Sequence, residues 1–306
     1  MKALINRRAL GGIIAGGAAS GVAASALGAS PGAVAQLDLE DPARKLEAFM
    51  KIYTSVETTR VWYWYTGTID AALGDGPVRP FIGVSTLIRR DVAPTRDGRF
   101  EMEMFEGSYF HPVGDARPLD SLRNAMNGRD VQPFHYREGP YHVGYDVLGP
   151  YNPATGAHYS NEVRDSPIYQ AGDQIWFSRD NYIDAPNAFT VDKWPLESYG
   201  PRDTVGSFAT HFSRLSDVAD PAVRTAPCAF RYEAFMRWWP WMLMGQTPGR
   251  MVWRGDGLKL PSIDRLPASA RAGFQAVHPR LFLERPWDEF ANLPVDYQRE
   301  RKPAAA

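Results

Sequence analysis

The stretch RVWYWYTGT, Arg60–Thr68, is the part of the chain that best decides the fold. Its side chains alternate with a period of two, which is typical of a β-strand. Residues of one parity form one face and residues of the other parity form the second: Val61, Tyr63 and Tyr65 against Trp62 and Trp64. Because both faces are aromatic, we expect this strand to lie centrally in a sheet that is covered on both sides.

Further segments with the same period follow, separated by Gly, Pro, Asn and Asp residues that indicate turns. The clearest are Phe81–Arg90, Arg99–Phe105, Asp173–Arg179, Thr204–Leu215, Phe230–Trp238 and Arg250–Arg254. Helical signals are confined to the ends of the chain, where Asp41 and Pro42 begin one helix and residues 267–277 form another. The sequence therefore predicts a mainly β fold: a single antiparallel barrel-like domain with a helix near the mature N-terminus and short helices at the C-terminus.

The first 35 residues resemble a targeting segment. Arg7 and Arg8 precede an uncharged run rich in Ala and Gly, and residues 33–35 (AVA) have the form of a cleavage site. We interpret residues 1–35 as a twin-arginine signal peptide and residues 36–306 as the single β-barrel-like domain. A general secretory signal is the alternative. The prediction implies a periplasmic or secreted protein, with the twin-arginine export machinery as a partner.

The composition excludes several classes of protein. Without the three basic residues of the leader, the formal net charge of −1 becomes about −4, which argues against a nucleic-acid partner. Cys228 is the single cysteine, so an intrachain disulfide is excluded. The nine Trp, fourteen Tyr and fifteen Phe are typical of a chain that encloses a hydrophobic ligand, and equally of one with an aromatic core.

Four segments together carry a resemblance to a known family. They are WYWYTGTI at 62–69, GVSTLIRR at 83–90, WWPWMLMGQTPG at 238–249 and GLKLPSIDRLP at 257–267. With the leader, they resemble the exported bacterial family described as domain of unknown function 1838. That resemblance implies a class of protein and no particular activity or site.

The motifs of the common cofactor and nucleophile chemistries do not occur in the sequence. The six histidines form neither H-x-H nor H-E-x-x-H, and there is no G-x-S-x-G, P-loop or G-x-G-x-x-G pattern. We therefore predict no metal site and no cofactor.

His211 is the principal candidate for a catalytic base. Its predicted strand places Ser207 and other small residues on the same face, which would leave room for a ligand beside the imidazole. A structural histidine, satisfied by a neighbouring strand, is the alternative. Tyr65 and Arg179 are predicted to polarise or orient oxygen atoms of the ligand. Glu101 is a candidate buried acid, unless the methionine face of its strand fills the core and leaves the carboxylate in solvent.

Aromatic residues are the candidates for a ligand-binding wall. Together with Ser207, the predicted set is Tyr63, Trp62, Trp64, Trp238 and Trp241. Exposure of the segment Trp238–Met242 to water would be unfavourable, so we expect it to be buried. The alternatives are a cap on the barrel mouth, a ligand wall, a homodimer contact and plain packing in the core.

These observations predict an exported, cofactor-independent enzyme of the lyase or isomerase type, which transfers protons on a hydrophobic or aromatic small molecule. The principal alternative is a periplasmic carrier that binds such a molecule without converting it. A third hypothesis is an assembly factor acting through the Trp-rich segment. An enzyme requires at least two titratable groups in one pocket, whereas a carrier requires few or none.

Overall fold

A computed structural model describes residues 36–304, which belong to one compact unit. Its central feature is strand β1 (Thr59–Leu73), which contains the aromatic stretch 60–68. β1 pairs antiparallel with β2 (Arg79–Pro94) on one side and with β12 (Gly249–Leu260) on the other. The predicted central position of this strand is therefore confirmed.

Ten strands form one antiparallel sheet in the order β7-β6-β3-β2-β1-β12-β11-β10-β9-β8. The remaining strands of this sheet are β3 (Phe100–His111), β6 (Arg137–Tyr145), β7 (Pro150–Tyr151), β8 (Ile168–Ala171), β9 (Gln174–Pro186), β10 (Arg202–Arg214) and β11 (Ala229–Met236). A separate hairpin consists of β4 (Leu122–Asn124) and β5 (Arg129–Val131). Within the described residues β7 and β8 are the two ends of the sheet, so the sheet curves into a half-barrel with a lateral gap.

Helix α1 (Pro42–Tyr53) covers one end of the half-barrel. The carboxylate of Asp41 accepts hydrogen bonds from the amides of Ala43 and Arg44, which is the N-cap that the sequence predicts. The buried face of α1 enters the inner core, where Phe49 stacks on Phe177 of β9 with ring centroids 4.7 Å apart. The helix therefore supplies the floor of the space that the strands surround.

The C-terminal part of the chain covers the outer face of β1, β2 and β3. This outer core unites the outward residues of the strands with α4 and the segment after it: Trp62, Leu87, Phe105, Tyr109, Phe274, Leu281 and Trp287. A Cβ on Gly273 of α4 would stand 2.5 Å from the ring of Tyr109, so glycine permits the close approach of helix to sheet.

The remaining helices are short. They are α2 (Glu162–Asp165), α3 (Leu215–Ala219), α4 (Ala268–Val277) and α5 (Leu293–Glu300), with 3₁₀ turns at Pro240–Met242, Ile263–Arg265 and Pro279–Phe282. The mainly β prediction, with one helix near the mature N-terminus and short helices at the C-terminus, is confirmed. The predicted signal peptide lies outside the described residues. No helix within residues 36–304 has both the length and the apolar character needed to cross a bilayer.

Candidate active site

The half-barrel surrounds a cavity of about 650 Å³. Its lining comes from α1, from β1–β3 and β6, and from β9–β12, so both halves of the sheet contribute. Val143 on β6 and Asn181 on β9 both line it, so the lining reaches the strands next to each end of the sheet. A second cavity of about 390 Å³ lies beside the first and shares Ser207, Tyr232 and Trp253 with it.

Two glutamates, Glu106 on β3 and Glu138 on β6, are direct cross-strand neighbours in this cavity. A bulge brings them together: the register passes from Met104 opposite Tyr141 to Glu106 opposite Glu138, which skips one residue of β3 and two of β6. Gly139 lies in the bulge with φ of +96°, and a Cβ there would stand 2.3 Å from the carbonyl oxygen of Met104.

The surroundings raise the pKa of both carboxyl groups of this pair. Burial and the neighbouring charge of Glu138 raise the pKa of Glu106 to about 8, although Arg90 opposes the shift. Burial also raises the pKa of Glu138, against the lowering effect of the Tyr141 hydroxyl, which donates to its Oε2 at 3.0 Å. At neutral pH the pair therefore holds a carboxylic acid inside the cavity, as like-charged neighbours in an apolar site must.

The floor of the cavity is a cluster of Tyr53, Arg90 and Arg179. Arg179 pairs with Glu162 and donates a hydrogen bond to the hydroxyl of Tyr53. The guanidinium carbons of Arg90 and Arg179 lie 4.0 Å and 4.5 Å from the centroid of the Tyr53 ring. Burial would raise the pKa of Tyr53, but the charges of Arg179 and Arg90 outweigh it and lower the pKa below its ordinary value of 10.

His211 lines the cavity but is tightly packed. It stacks on Phe177 at 5.0 Å between centroids and lies 4.9 Å from the ring of Phe230. Neither ring nitrogen has a hydrogen-bond partner among the described residues. Burial, reinforced by Arg90 and Arg179, lowers the pKa of His211 well below 6.5, so the imidazole is neutral. The expectation of open space beside this ring is therefore corrected, because the aromatic neighbours come from the adjacent strands.

Four of the other predicted site residues also line one or both cavities. Tyr65 and Arg179 line the larger cavity, and Ser207 lines both cavities. Trp238 lines the smaller cavity, and its indole nitrogen donates to the carbonyl oxygen of Thr247 at 2.7 Å.

Four predicted residues line neither cavity, and the pleat of the strand turns three of them outward. Trp62 and Trp64 lie on the outer face of β1, where Trp62 stacks on Phe282 and belongs to the outer core. Glu101 is exposed on the outward side of β3. Tyr63 points inward but is held below the cavity, with its hydroxyl donating to the carbonyl oxygen of Ile52 at 2.8 Å.

Trp241 is buried and packs beside Phe110 and Phe81, outside both cavities. Trp238 and Trp241 are each only 2% exposed, so the Trp-rich segment offers neither indole as a surface for a second copy of the chain.

Comparison with known proteins defines the family. The model of the family described as "Protein of unknown function (DUF1838)" matches residues 58–291, about three quarters of the chain. The chain belongs to this family. The resemblance inferred from the sequence is thereby confirmed. A search of the curated proteins finds no significant match.

The matched part of this DUF1838 protein contains the glutamate pair together with Arg90, Arg179 and His211, whereas Tyr53 precedes it. No group of three or more His, Cys, Asp or Glu side chains within residues 36–304 is placed to hold a metal ion.

Sequence reasoning missed Glu106, Glu138, Arg90 and Tyr53. For Glu106 a signal existed: the inward parity of Met102 and Met104 continues to residue 106 along β3. For the others the decisive fact is non-local, because Glu138 reaches the cavity through the bulge and Tyr53 through the docking of α1.

Proposed function

We propose that this DUF1838 protein is a cofactor-independent acid–base enzyme of the lyase or isomerase type, acting on a hydrophobic or aromatic small molecule. The observation that carries the proposal is the Glu106–Glu138 pair, two carboxyl groups side by side in the aromatic-lined cavity of the half-barrel. A carrier has no need of two adjacent carboxyl groups in its cavity, because like charges side by side and partly removed from water are unfavourable.

The pair supplies both partners that proton transfer requires. A carboxyl group with a pKa near the working pH donates a proton to a developing oxyanion or carbanion, and its ionised neighbour accepts one. Tyr53, with its lowered pKa, is a second candidate base on the cavity floor. Its ring is flanked by two guanidinium groups, which stabilise negative charge at the hydroxyl.

The rest of the wall suits a ring-containing ligand. Tyr65, Tyr232 and Trp253 pack around one side of the cavity, with the Tyr232 and Trp253 rings edge-to-face at 5.2 Å. Met102 and Met104 from β3 line another part of it. Methionine and aromatic side chains make favourable contacts with flat apolar groups, and they exclude water from the reacting atoms.

Replacement of Glu106 by Gln tests this proposal, with Glu101→Gln as the matched control on the outer face of the same strand. Hydrogen–deuterium exchange into a panel of aromatic and alicyclic ketones, esters and acids, followed by NMR, detects proton transfer before the substrate is known. We expect Glu106→Gln to slow exchange by about 10²–10⁴-fold and Glu101→Gln to leave it unchanged. Unchanged exchange in Glu106→Gln would contradict the proposal. Binding of panel members by wild type without exchange or conversion would favour the carrier.

We also propose that the enzyme works outside the cytoplasm, in the periplasm or secreted. The support is the leader sequence alone: paired arginines, an uncharged run and a small-residue cleavage site. Replacement of both Arg7 and Arg8 by Lys is expected to retain the precursor in the cytoplasmic fraction, and normal export of that variant would exclude the twin-arginine route.

A further inference from the structure

Arg89 and Arg90 are adjacent buried arginines that point to opposite faces of β2. Arg89 points outward, and each nitrogen of its guanidinium has a hydrogen-bond partner. It pairs with Asp91 and donates to the carbonyl oxygens of Leu283 at 2.6 Å and Glu284 at 2.7 Å. This arginine has a structural role: it attaches the C-terminal segment to the sheet.

Arg90 points inward and is much less well satisfied, although it is only 4% exposed. Its Nη1 donates to the carbonyl oxygen of Tyr53 at 2.9 Å, and its guanidinium carbon lies over the rings of Tyr53 and Tyr63. Its Nε is buried without a hydrogen-bond partner among residues 36–304. No carboxylate of those residues forms an ion pair with it, so the charge is stabilised only by ring faces and one carbonyl group.

The neighbouring charged groups do not neutralise Arg90. Glu162, the carboxylate on this floor, is already engaged by Arg179 through two hydrogen bonds. Lys259 offers no negative charge: burial lowers its pKa to about 7, and its amine donates to the carbonyl oxygens of Lys51 and Thr54.

Glu106 is the inward-facing acid nearest to Arg90 in the strand register. Arg90 pairs with Met104 and Ile88 pairs with Glu106, so the arginine and the glutamate are diagonal neighbours on β2 and β3. The Glu138 carboxyl beside Glu106 favours the protonated form of that acid. A buried guanidinium with no carboxylate partner is unfavourable unless a ligand supplies the missing charge.

We propose that Arg90 is the anion-binding residue of this cavity and that its ligand is a ring-containing carboxylate. The carboxylate pairs with Arg90 at the floor, where a guanidinium offers parallel N–H donors to two oxygens. The ring then lies against Tyr65, Tyr232 and Trp253, which places the carbon atoms next to the carboxylate close to Glu106. This inference rests on the proposed function in one respect, because it assigns a substrate class to the same cavity.

Isothermal titration calorimetry with 2-naphthoate and 2-naphthamide tests the inference, since the two probes share their rings and differ in charge. We expect wild type to bind the carboxylate at least tenfold more tightly than the amide. Arg90→Met should abolish this preference while leaving amide binding unchanged, and Arg90→Lys should retain part of it. Arg231→Met, which removes an arginine paired with Asp256 on the outer face, is the control and should keep the full preference.

Equal affinity of wild type for the two probes, a full carboxylate preference in Arg90→Met, or no binding of either probe would overturn the inference. If Arg90→Met does not fold, wild type and Arg90→Lys decide the question. The test is independent of catalysis. Loss of exchange in Glu106→Gln without any carboxylate preference would retain the enzyme and refute the subsite. An Arg90-dependent preference without turnover would retain the subsite and refute the enzyme.

Discussion

The outer and inner faces of β1–β3 contain similar residues but differ in what those residues do. The outer face is packed, and the inner face lines the cavity. On the outer face Phe105 is fully buried and packs edge-to-face against Trp287 at 5.4 Å. One residue later and one pleat away, Glu106 faces the cavity beside another carboxyl group. Arg89 and Arg90 repeat the contrast on β2: the first is saturated with partners and the second is not.

The difference shows where this fold gains stability and where it keeps free polar groups. Sealing the outer face removes apolar surface from water, and the buried Arg89 and the indole nitrogen of Trp287 both have hydrogen-bond partners there. The inner face leaves ionisable groups close together around about 650 Å³ of space. Four substitutions test this contrast, in order of decreasing effect on the free energy of unfolding.

Phe274→Ala should produce the largest change. Phe274 of α4 is fully buried and packs edge-to-face on Tyr109 at 4.8 Å. Its truncation should lower the free energy of unfolding by about 3–5 kcal/mol, because lost burial and a new cavity both contribute. Urea unfolding measures the loss, and calorimetry should find naphthoate affinity unchanged under native conditions. A loss below about 1 kcal/mol would mean that the outer core is not the stabilising region.

Arg89→Met should be the next most harmful. The substitution leaves the carbonyl oxygens of Leu283 and Glu284 without the hydrogen bonds that Arg89 donates. Asp91 then keeps only Arg60 as its partner. We expect a loss of about 2–3 kcal/mol. Arg90→Met should be far milder in the same urea titration, because the inner arginine has no ion pair to break. Equal losses for the two variants would remove the distinction between the faces.

Glu106→Gln should change the pH dependence of stability. The pKa of Glu106 is about 8 in the folded protein against an ordinary value of 4.5. Between these values the unfolded chain releases a proton that the folded chain keeps, so wild-type stability falls as pH rises through this window. Gln does not titrate, so the variant should equal wild type near pH 4.5 and should exceed it by a margin that grows as the pH approaches 8. A constant difference between pH 4.5 and pH 8 would show that Glu106 is solvated.

Much of the fold follows from local pattern. Alternation in residues 60–68 identifies β1, and aromatic side chains of both parities indicate that both of its faces are covered. Asp41 and Pro42 mark the start of α1 in the sequence. These features depend only on residues that are neighbours along the chain, so one sequence is enough to predict them.

The cavity residues could not be identified in the same way. The alternation of β3 places Glu101 and Glu106 on opposite faces of the strand. It does not predict which of the two faces α4 and residues 279–291 will cover. The pairing of Glu106 with Glu138 requires the β3–β6 register, and Gly139 next to a proline reads locally as a turn. Likewise, the sequence does not distinguish the roles of Arg89 and Arg90. Their roles differ because the carbonyl oxygens of residues 283–284 accept hydrogen bonds from Arg89 and not from Arg90.

His211→Phe should have the smallest effect and distinguishes two roles for the residue predicted as a base. Its nitrogens are buried without partners, and Phe177 and Phe230 lie against its ring. A phenyl group removes the orphan polar atoms, so stability at pH 7 should stay within about 1 kcal/mol of wild type. Because the folded pKa lies well below 6.5, wild type loses stability as pH falls below that value and the unfolded chain takes up a proton, whereas the variant does not. The advantage of His211→Phe should therefore grow from pH 7 to pH 5 in urea titrations.

A packing role for His211 predicts that deuterium exchange into substrate persists in His211→Phe. Loss of exchange in this variant would make His211 the base in place of the glutamate pair.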